Sequence, residues 1–249
     1  MSQEKNVDDE EISVTHALGN KEIITTGIGD MDKKMGGGIP SGSLTLIEGL
    51  NGTGKSVLSQ QLIWGGLQQG FSFASYTTEK TIKSLLEQMD SLSLDISDYF
   101  VLGILKIYPT HIEGVNWSNG NSFLDYITGD VKTKSSEVIL IDSLTVFVSK
   151  ASDADVLNFF ASCKKLCDSG KTILITAHTF AFGEELLTRV RSICDGHFSL
   201  KKEEVGGRLV RTLEVAKIRG AQKTMGNVIA FEVLPEIGLR IIPVSRTKA

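Results

Sequence analysis

Apolar residues along the 249-residue chain fall into two rhythms. Short apolar runs, Leu44–Glu48, Phe71–Thr77, Val138–Ile141 and Thr172–Thr176, read as strands buried on both faces, the pattern of a parallel sheet. Longer segments between them read as helices: Lys55 to about Gln69, Lys80–Ser91, Asn121–Val131, Ala154–Ser169 with Gly170 as its stop, and Glu184–Val190. Phe100–Ile107 reads as one more short strand, and Tyr108–Gly120, which carries His111 and Trp117, as a loop. Beyond residue 195 the rhythm changes. Gly196–Leu200, Arg208–Lys217, Val228–Val233 and Leu239–Val244 are strand-like pieces separated by turns, with little helix between them. The expected fold class is α/β: a central, mainly parallel sheet with helices on both faces and a C-terminal antiparallel extension. A polar, acidic segment over residues 1–22 is expected to be flexible, and residues 23–249 to form a single domain.

Composition narrows the function classes. The formal net charge is -4, which gives no support for a broad nucleic-acid surface, and the loop Tyr108–Gly120 is not basic. Three cysteines, Cys163, Cys167 and Cys194, make no disulfide framework and point to a reducing, cytoplasmic setting. Cys163 and Cys167 are read as small buried side chains on one helix face. The aromatic residues Phe71, Phe73, Phe159, Phe160 and Phe198 are assigned to the core. No apolar run is long enough to cross a membrane as a helix, so attachment to a membrane is expected only through partners.

The chemistry is concentrated in Gly49-Leu-Asn-Gly-Thr-Gly-Lys-Ser56, which has P-loop spacing and sits between an apolar strand and a helix. Backbone N–H groups of such a loop wrap a phosphate at the helix N-terminus. The expected nucleotide-binding set is Gly49, Leu50, Asn51, Gly52, Thr53, Gly54, Lys55, Ser56 and Val57, with Lys55 on the β- and γ-phosphates and Ser56 on Mg²⁺. Asp142 ends a buried strand and is the expected second Mg²⁺ ligand; the competing reading is a cap on the following loop. Glu79 is the candidate general base, provided its strand neighbours that of the P-loop; otherwise it is a surface acid at a helix start. Thr176 and His178, at a strand's C-terminal end, read either as γ-phosphate sensors or as structural residues. Lys217 and Arg219 share a strand face and read either as cations reaching a neighbouring subunit's phosphate or as a basic edge that prevents strand pairing.

Taken together, Thr26-Gly-Ile-Gly-Asp-Met-Asp32, the stretch Gly36–Gly49, the P-loop, Glu79, Asp142, Thr176-Ala-His178 and Lys217-Ile-Arg-Gly220 resemble, in order and spacing, the RecA-like ATPases of the KaiC type. The resemblance spans about residues 24–244 and is nearest to the accessory ATPases of the archaellum, the archaeal motility filament. It implies a RecA-like P-loop NTPase with ATP or ADP and Mg²⁺ as ligands. It also implies a homo-hexameric ring on the inner face of the cell membrane, held there by partners. These are the archaellum assembly and rotation ATPase, a membrane platform protein, and scaffold or accessory motor proteins. Hydrolysis would be weak or partner-dependent. On the same resemblance Glu79 is the water-positioning acid, while Lys217 and Arg219 act in the adjacent subunit's site. One position departs from the pattern: KaiC-type domains commonly carry a second acid where Lys80 stands. Two other classes share these motifs, a DNA-handling recombinase-like ATPase and a KaiC-like signalling ATPase or autokinase.

Overall fold

The computed structural model describes residues 22–110, 120–205, 208–219 and 227–243. The elements in chain order are β1 (Ile23–Ile24), α1 (Gly29–Lys34), β2 (Ile39–Pro40), β3 (Leu44–Gly49), α2 (Lys55–Gln68), β4 (Phe73–Thr77), α3 (Ile82–Asp90), α4 (Ser97–Val101), β5 (Leu105–Pro109), α5 (Gly120–Thr133), β6 (Val138–Asp142), α6 (Thr145–Val148), α7 (Asp153–Asp168), β7 (Thr172–His178), α8 (Glu184–Ile193), β8 (Gly196–Val205), β9 (Arg208–Ile218), β10 (Val228–Leu234) and β11 (Gly238–Ile242). Nine strands form one sheet in the order β11-β10-β9-β8-β3-β7-β6-β4-β5; β1 and β2 pair separately. From β8 through β5 every pairing is parallel, and from β8 through β11 every pairing is antiparallel.

The apolar runs become central strands because alternate side chains feed two cores. Val138 and Leu140 of β6 and Leu174 of β7 join the core under α2 and α3, with Leu58, Leu62, Leu85 and Met89. Ile139, Ile141, Ile173 and Ile175 point to the other face, where α5, α6, α7 and α8 supply Phe123, Phe147, Phe160 and Leu187. Phe71, Phe73, Phe159, Phe160 and Phe198 are all buried, as are the three cysteines, which are free thiols. Burial pushes the Cys167 and Cys194 thiols up to about 12. No helix of the described residues is long and apolar enough to cross a membrane.

Several boundaries differ from the pattern-based expectation. Phe100 belongs to α4, not to a strand. Its neighbours Val101 and Leu102 are exposed, so the apolar run there reflects no buried strand, and β5 begins only at Leu105. The glycine-rich entry contains α1, pinned where Asp32 Oδ1 accepts hydrogen bonds from Thr26 N (2.7 Å) and Thr26 Oγ1 (2.7 Å). Helix α3 starts at Ile82, two residues later than expected, because Thr81 caps it: Thr81 Oγ1 accepts from Ser84 N and Ser84 Oγ accepts from Thr81 N. Strand β7 runs through His178, which therefore ends the strand instead of following it. His111, Trp117 and residues 1–21 lie outside the described residues.

Candidate nucleotide site

The C-terminal ends of β3, β6, β4 and β7 converge on a cavity of about 260 Å³. Its walls include Asn51, Gly52, Gly54, Lys55, Ser56, Val57, Glu79, Lys80, Gln88, Asp142, Ser143, His178, Arg211 and Val233. Ligands of open parallel sheets collect at this end, where strand ends and helix N-termini face one crevice.

The phosphate loop takes its shape from β3 and α2. Gly54 stands at the N-cap of α2 with φ 99, a conformation other residues resist, and an added Cβ would sit 3.1 Å from the Phe231 ring. At Gly49 the constraint is close approach: a Cβ there would lie 2.4 Å from the Leu200 carbonyl oxygen of β8. The α2 N-terminus has no side-chain cap, so its first-turn N–H groups remain available to an anion. Lys55 folds back across the loop and donates to the carbonyls of Gly49 (3.0 Å) and Leu50 (2.9 Å). Burial lowers the Lys55 ammonium to about 8, although Asp142 and Glu79 pull in the opposite direction.

Ser56 Oγ stands 3.3 Å from Asp142 Oδ1, and Thr176 Oγ1 donates to the same carboxylate oxygen at 2.6 Å. A hydroxyl and a carboxylate facing one opening are hard oxygen donors of the kind Mg²⁺ takes, with phosphate and water completing its shell. The residues therefore fit Mg²⁺: Ser56 and Asp142 would hold it, and Thr176 would orient the carboxylate. Asp142→Asn is expected to abolish the gain in ATP affinity that Mg²⁺ gives the wild type while sparing metal-free binding. Titrations with Mg²⁺ and with a chelator check this.

Glu79 reaches the cavity by a different route from the one anticipated. Strands β3 and β4 are not neighbours, since β7 and β6 lie between them. The register Thr77↔Asp142 nevertheless brings the end of β4 level with the end of β6. Thr78 locks the two together, donating to Asp142 O through its N–H (3.0 Å) and to Ser143 O through its hydroxyl (3.1 Å). Burial, with Lys55 nearby, lowers the His178 imidazole pKa.

Lys217 and Arg219 lie elsewhere. Lys217 pairs with His197 near the start of β8, whereas the P-loop end of β3 pairs with Leu200. The Lys217 ammonium donates to the carbonyls of Arg191 (3.2 Å), Ser192 (3.4 Å) and Cys194 around the C-terminus of α8. Arg219 pairs with Asp195 at 3.4 Å. The fold thus does not bring these two cations to the phosphate loop of their own chain.

Two features of the site were not anticipated from sequence. Arg211 of β9 donates from Nε to the Gly52 carbonyl at 3.2 Å, and its register partner Lys202 of β8 approaches Gly52 as well. Behind the loop, the fully buried Glu48 of β3 accepts from Arg191 of α8 and lies 2.7 Å from His197 Nε2. Burial alone would raise the Glu48 carboxyl, but the hydrogen bonds from His197 and Arg191 outweigh it and leave the pKa below its ordinary value of 4.5. A carboxyl depressed in this way stabilises the fold above its ordinary pKa, and that contribution is lost as pH falls through the lowered value. The acid side of the stability profile should therefore fall less steeply below pH 4.5 in Glu48→Gln than in the wild type, as measured by denaturant midpoints at successive pH values.

A P-loop at the end of a central strand, a carboxylate facing it from a second strand and an antiparallel extension together define a RecA-like P-loop NTPase. A family model described as "ATPase: KaiC" matches residues 24–246. The chain is 35% identical over 229 residues to the archaeal flagellar ATP-binding protein FlaH of Sulfolobus acidocaldarius, covering 91% of this chain and 100% of that protein. It is 30% identical over 213 residues to the FlaH protein of Methanocaldococcus jannaschii, covering 85% and 91% respectively. The crystal structure of the flagellar accessory protein FlaH from M. jannaschii superposes with a TM-score of 0.77 at 30% identity, covering 86% of this chain and 95% of that one. The chain belongs to the KaiC-type P-loop ATPases and, among them, to the FlaH family.

Proposed function

We propose that this protein is the nucleotide-gated accessory component of an archaeal motility motor. It binds Mg-ATP in the cavity between β3, β6 and β4, assembles into a homo-hexameric ring in response, and docks in that state onto the assembly and rotation ATPase. It is cytoplasmic and peripheral, held at the inner face of the cell membrane through a platform protein and scaffold or accessory motor proteins. Hydrolysis is weak or depends on partners.

The observation that carries this reading is the composition of the site. Asn51, Gly52, Gly54, Lys55 and Ser56 of the P-loop line one cavity with Asp142, and the cation Lys80 lines it together with the acid Glu79. A site with a second buried cation favours holding an anionic nucleotide, and the single acid Glu79 is a sparse provision for general-base catalysis. The relatives' name, archaeal flagellar ATP-binding protein, supplies the setting. His178, in the cavity wall, would sense a bound γ-phosphate directly, and the buried Thr176 would do so only through Asp142. Lys217 and Arg219, remote from their own P-loop, would act on the next subunit's site, a role only a ring provides. Ordering of a subunit boundary by bound triphosphate is an established switching device.

Capture of the archaellum assembly ATPase by the immobilised full chain tests this proposal. Retention with Mg-ATP, and much weaker retention with ADP or without nucleotide, is the expected result. Equal retention in all three conditions contradicts nucleotide-gated docking.

A further inference from the structure

Lys80 follows Glu79 and precedes the Thr81 cap of α3. Its backbone N–H donates to Thr77 Oγ1 at 3.3 Å, and the neighbouring Thr78 is fastened to Asp142 and Ser143. The base of this side chain is thus fixed by strand pairing and a helix cap. Lys80 lines the cavity, and its ammonium is buried with no hydrogen-bond partner. Asp142 and Glu79 act on it through charge, yet neither comes within hydrogen-bonding reach.

A buried ammonium without a partner is costly, so a fold that keeps one in a polar cavity gains when an anion enters. The rest of the cavity indicates which anion. Lys55, the α2 N-terminus and the loop N–H groups would take phosphate from the β3 side. Lys80 enters from the β4 side. Two strands separate β4 from β3, so the two are about 14 Å apart at ordinary strand spacing. Lys55 and Lys80 line the same cavity from opposite sides, and of a phosphate chain seated on the P-loop the terminal phosphate of a triphosphate would extend farthest toward β4.

We propose that Lys80 is a ligand of the terminal phosphate and makes the site prefer nucleoside triphosphate over diphosphate. The inference rests on the nucleotide-site reading above and adds the residue that tells the two ligands apart. Lys55 contacts phosphates that both ligands possess, whereas Lys80 contacts only the one that ADP lacks. The same cation holds the Glu79 side of the site in a charge-balanced state, so ligand discrimination and slow turnover come from one side chain.

Calorimetric titration of the full chain with ATP and with ADP, at equal Mg²⁺, tests this in the wild type, Lys80→Met and Lys80→Gln. The expected result is a loss of about tenfold or more in ATP affinity in both variants, with much less change for ADP, so the ATP-to-ADP preference collapses. The glutamine variant keeps a polar side chain and guards against a folding defect in the methionine variant, and retained ADP binding reports an intact P-loop in each. An unchanged preference, or equal losses for both nucleotides, overturns the role of Lys80. A wild type that binds neither nucleotide overturns the nucleotide site and this inference with it.

Discussion

Lys55→Ala is expected to lower affinity for both ATP and ADP by about a hundredfold or more, the largest functional effect of any single substitution in the site. Two physical terms add. Lys55 is buried, and its charge would meet phosphate in a region of reduced dielectric, where a charge-assisted hydrogen bond is worth about 1.5–3 kcal/mol and the Coulomb attraction is less screened than in water. The side chain also ties down the loop that supplies the other donors, through its bonds to the Gly49 and Leu50 carbonyls. Truncation therefore removes a ligand and frees the backbone that positions the rest. Calorimetric titration with both nucleotides checks this, and affinity within a factor of a few of wild type would contradict the assignment of the P-loop.

The second large effect concerns stability. Arg191→Ala is expected to destabilise the protein by about 3 kcal/mol, at the low end for breaking a buried pair because Arg191 is itself partly exposed. Glu48 is fully buried one residue before the phosphate loop, and one of its oxygens already has no partner. Removing the guanidinium leaves a carboxylate supported by His197 alone. Glu48→Gln should cost less, since it removes the charge together with the need to neutralise it. Urea unfolding at neutral pH measures both. An Arg191→Ala protein as stable as the wild type would show that the network carries no net stability.

The P-loop is legible in sequence because its geometry is local: eight consecutive residues form the turn and carry the lysine. Asp142 and Glu79 stand out because Asp142 closes a wholly apolar run and Glu79 follows a strand buried along its whole length. The adjacency of the Glu79 strand to the P-loop strand is not legible, since it depends on sheet order. Glu79 reaches the cavity although β7 and β6 intervene, because the β4–β6 register and the Thr78 N–H bond to the Asp142 carbonyl bring the two strand ends level. Short helices escape the pattern for a different reason. Helices α1, α4 and α6 have six, five and four residues, too few to display a helical period.

Long-range chemistry was the least visible. Glu48 meets Arg191 and His197 across 143 and 149 positions of chain, and Arg211 meets Gly52 across 159. Nothing in the local composition around Arg211 distinguishes it from an ordinary strand residue; only the β8–β9 register brings it over the loop. Lys217 and Arg219 show the converse. Their shared face is readable from spacing, but the end of the sheet they occupy follows from the direction of β9.

Mass by light scattering on the full chain, without nucleotide, with ADP and with ATP and Mg²⁺, while phosphate release is followed in the same samples, tests the central claim most directly. Nucleotide-gated assembly predicts hexamers with Mg-ATP, smaller species without it, and little phosphate released. A monomer in all three conditions with steady hydrolysis would contradict it.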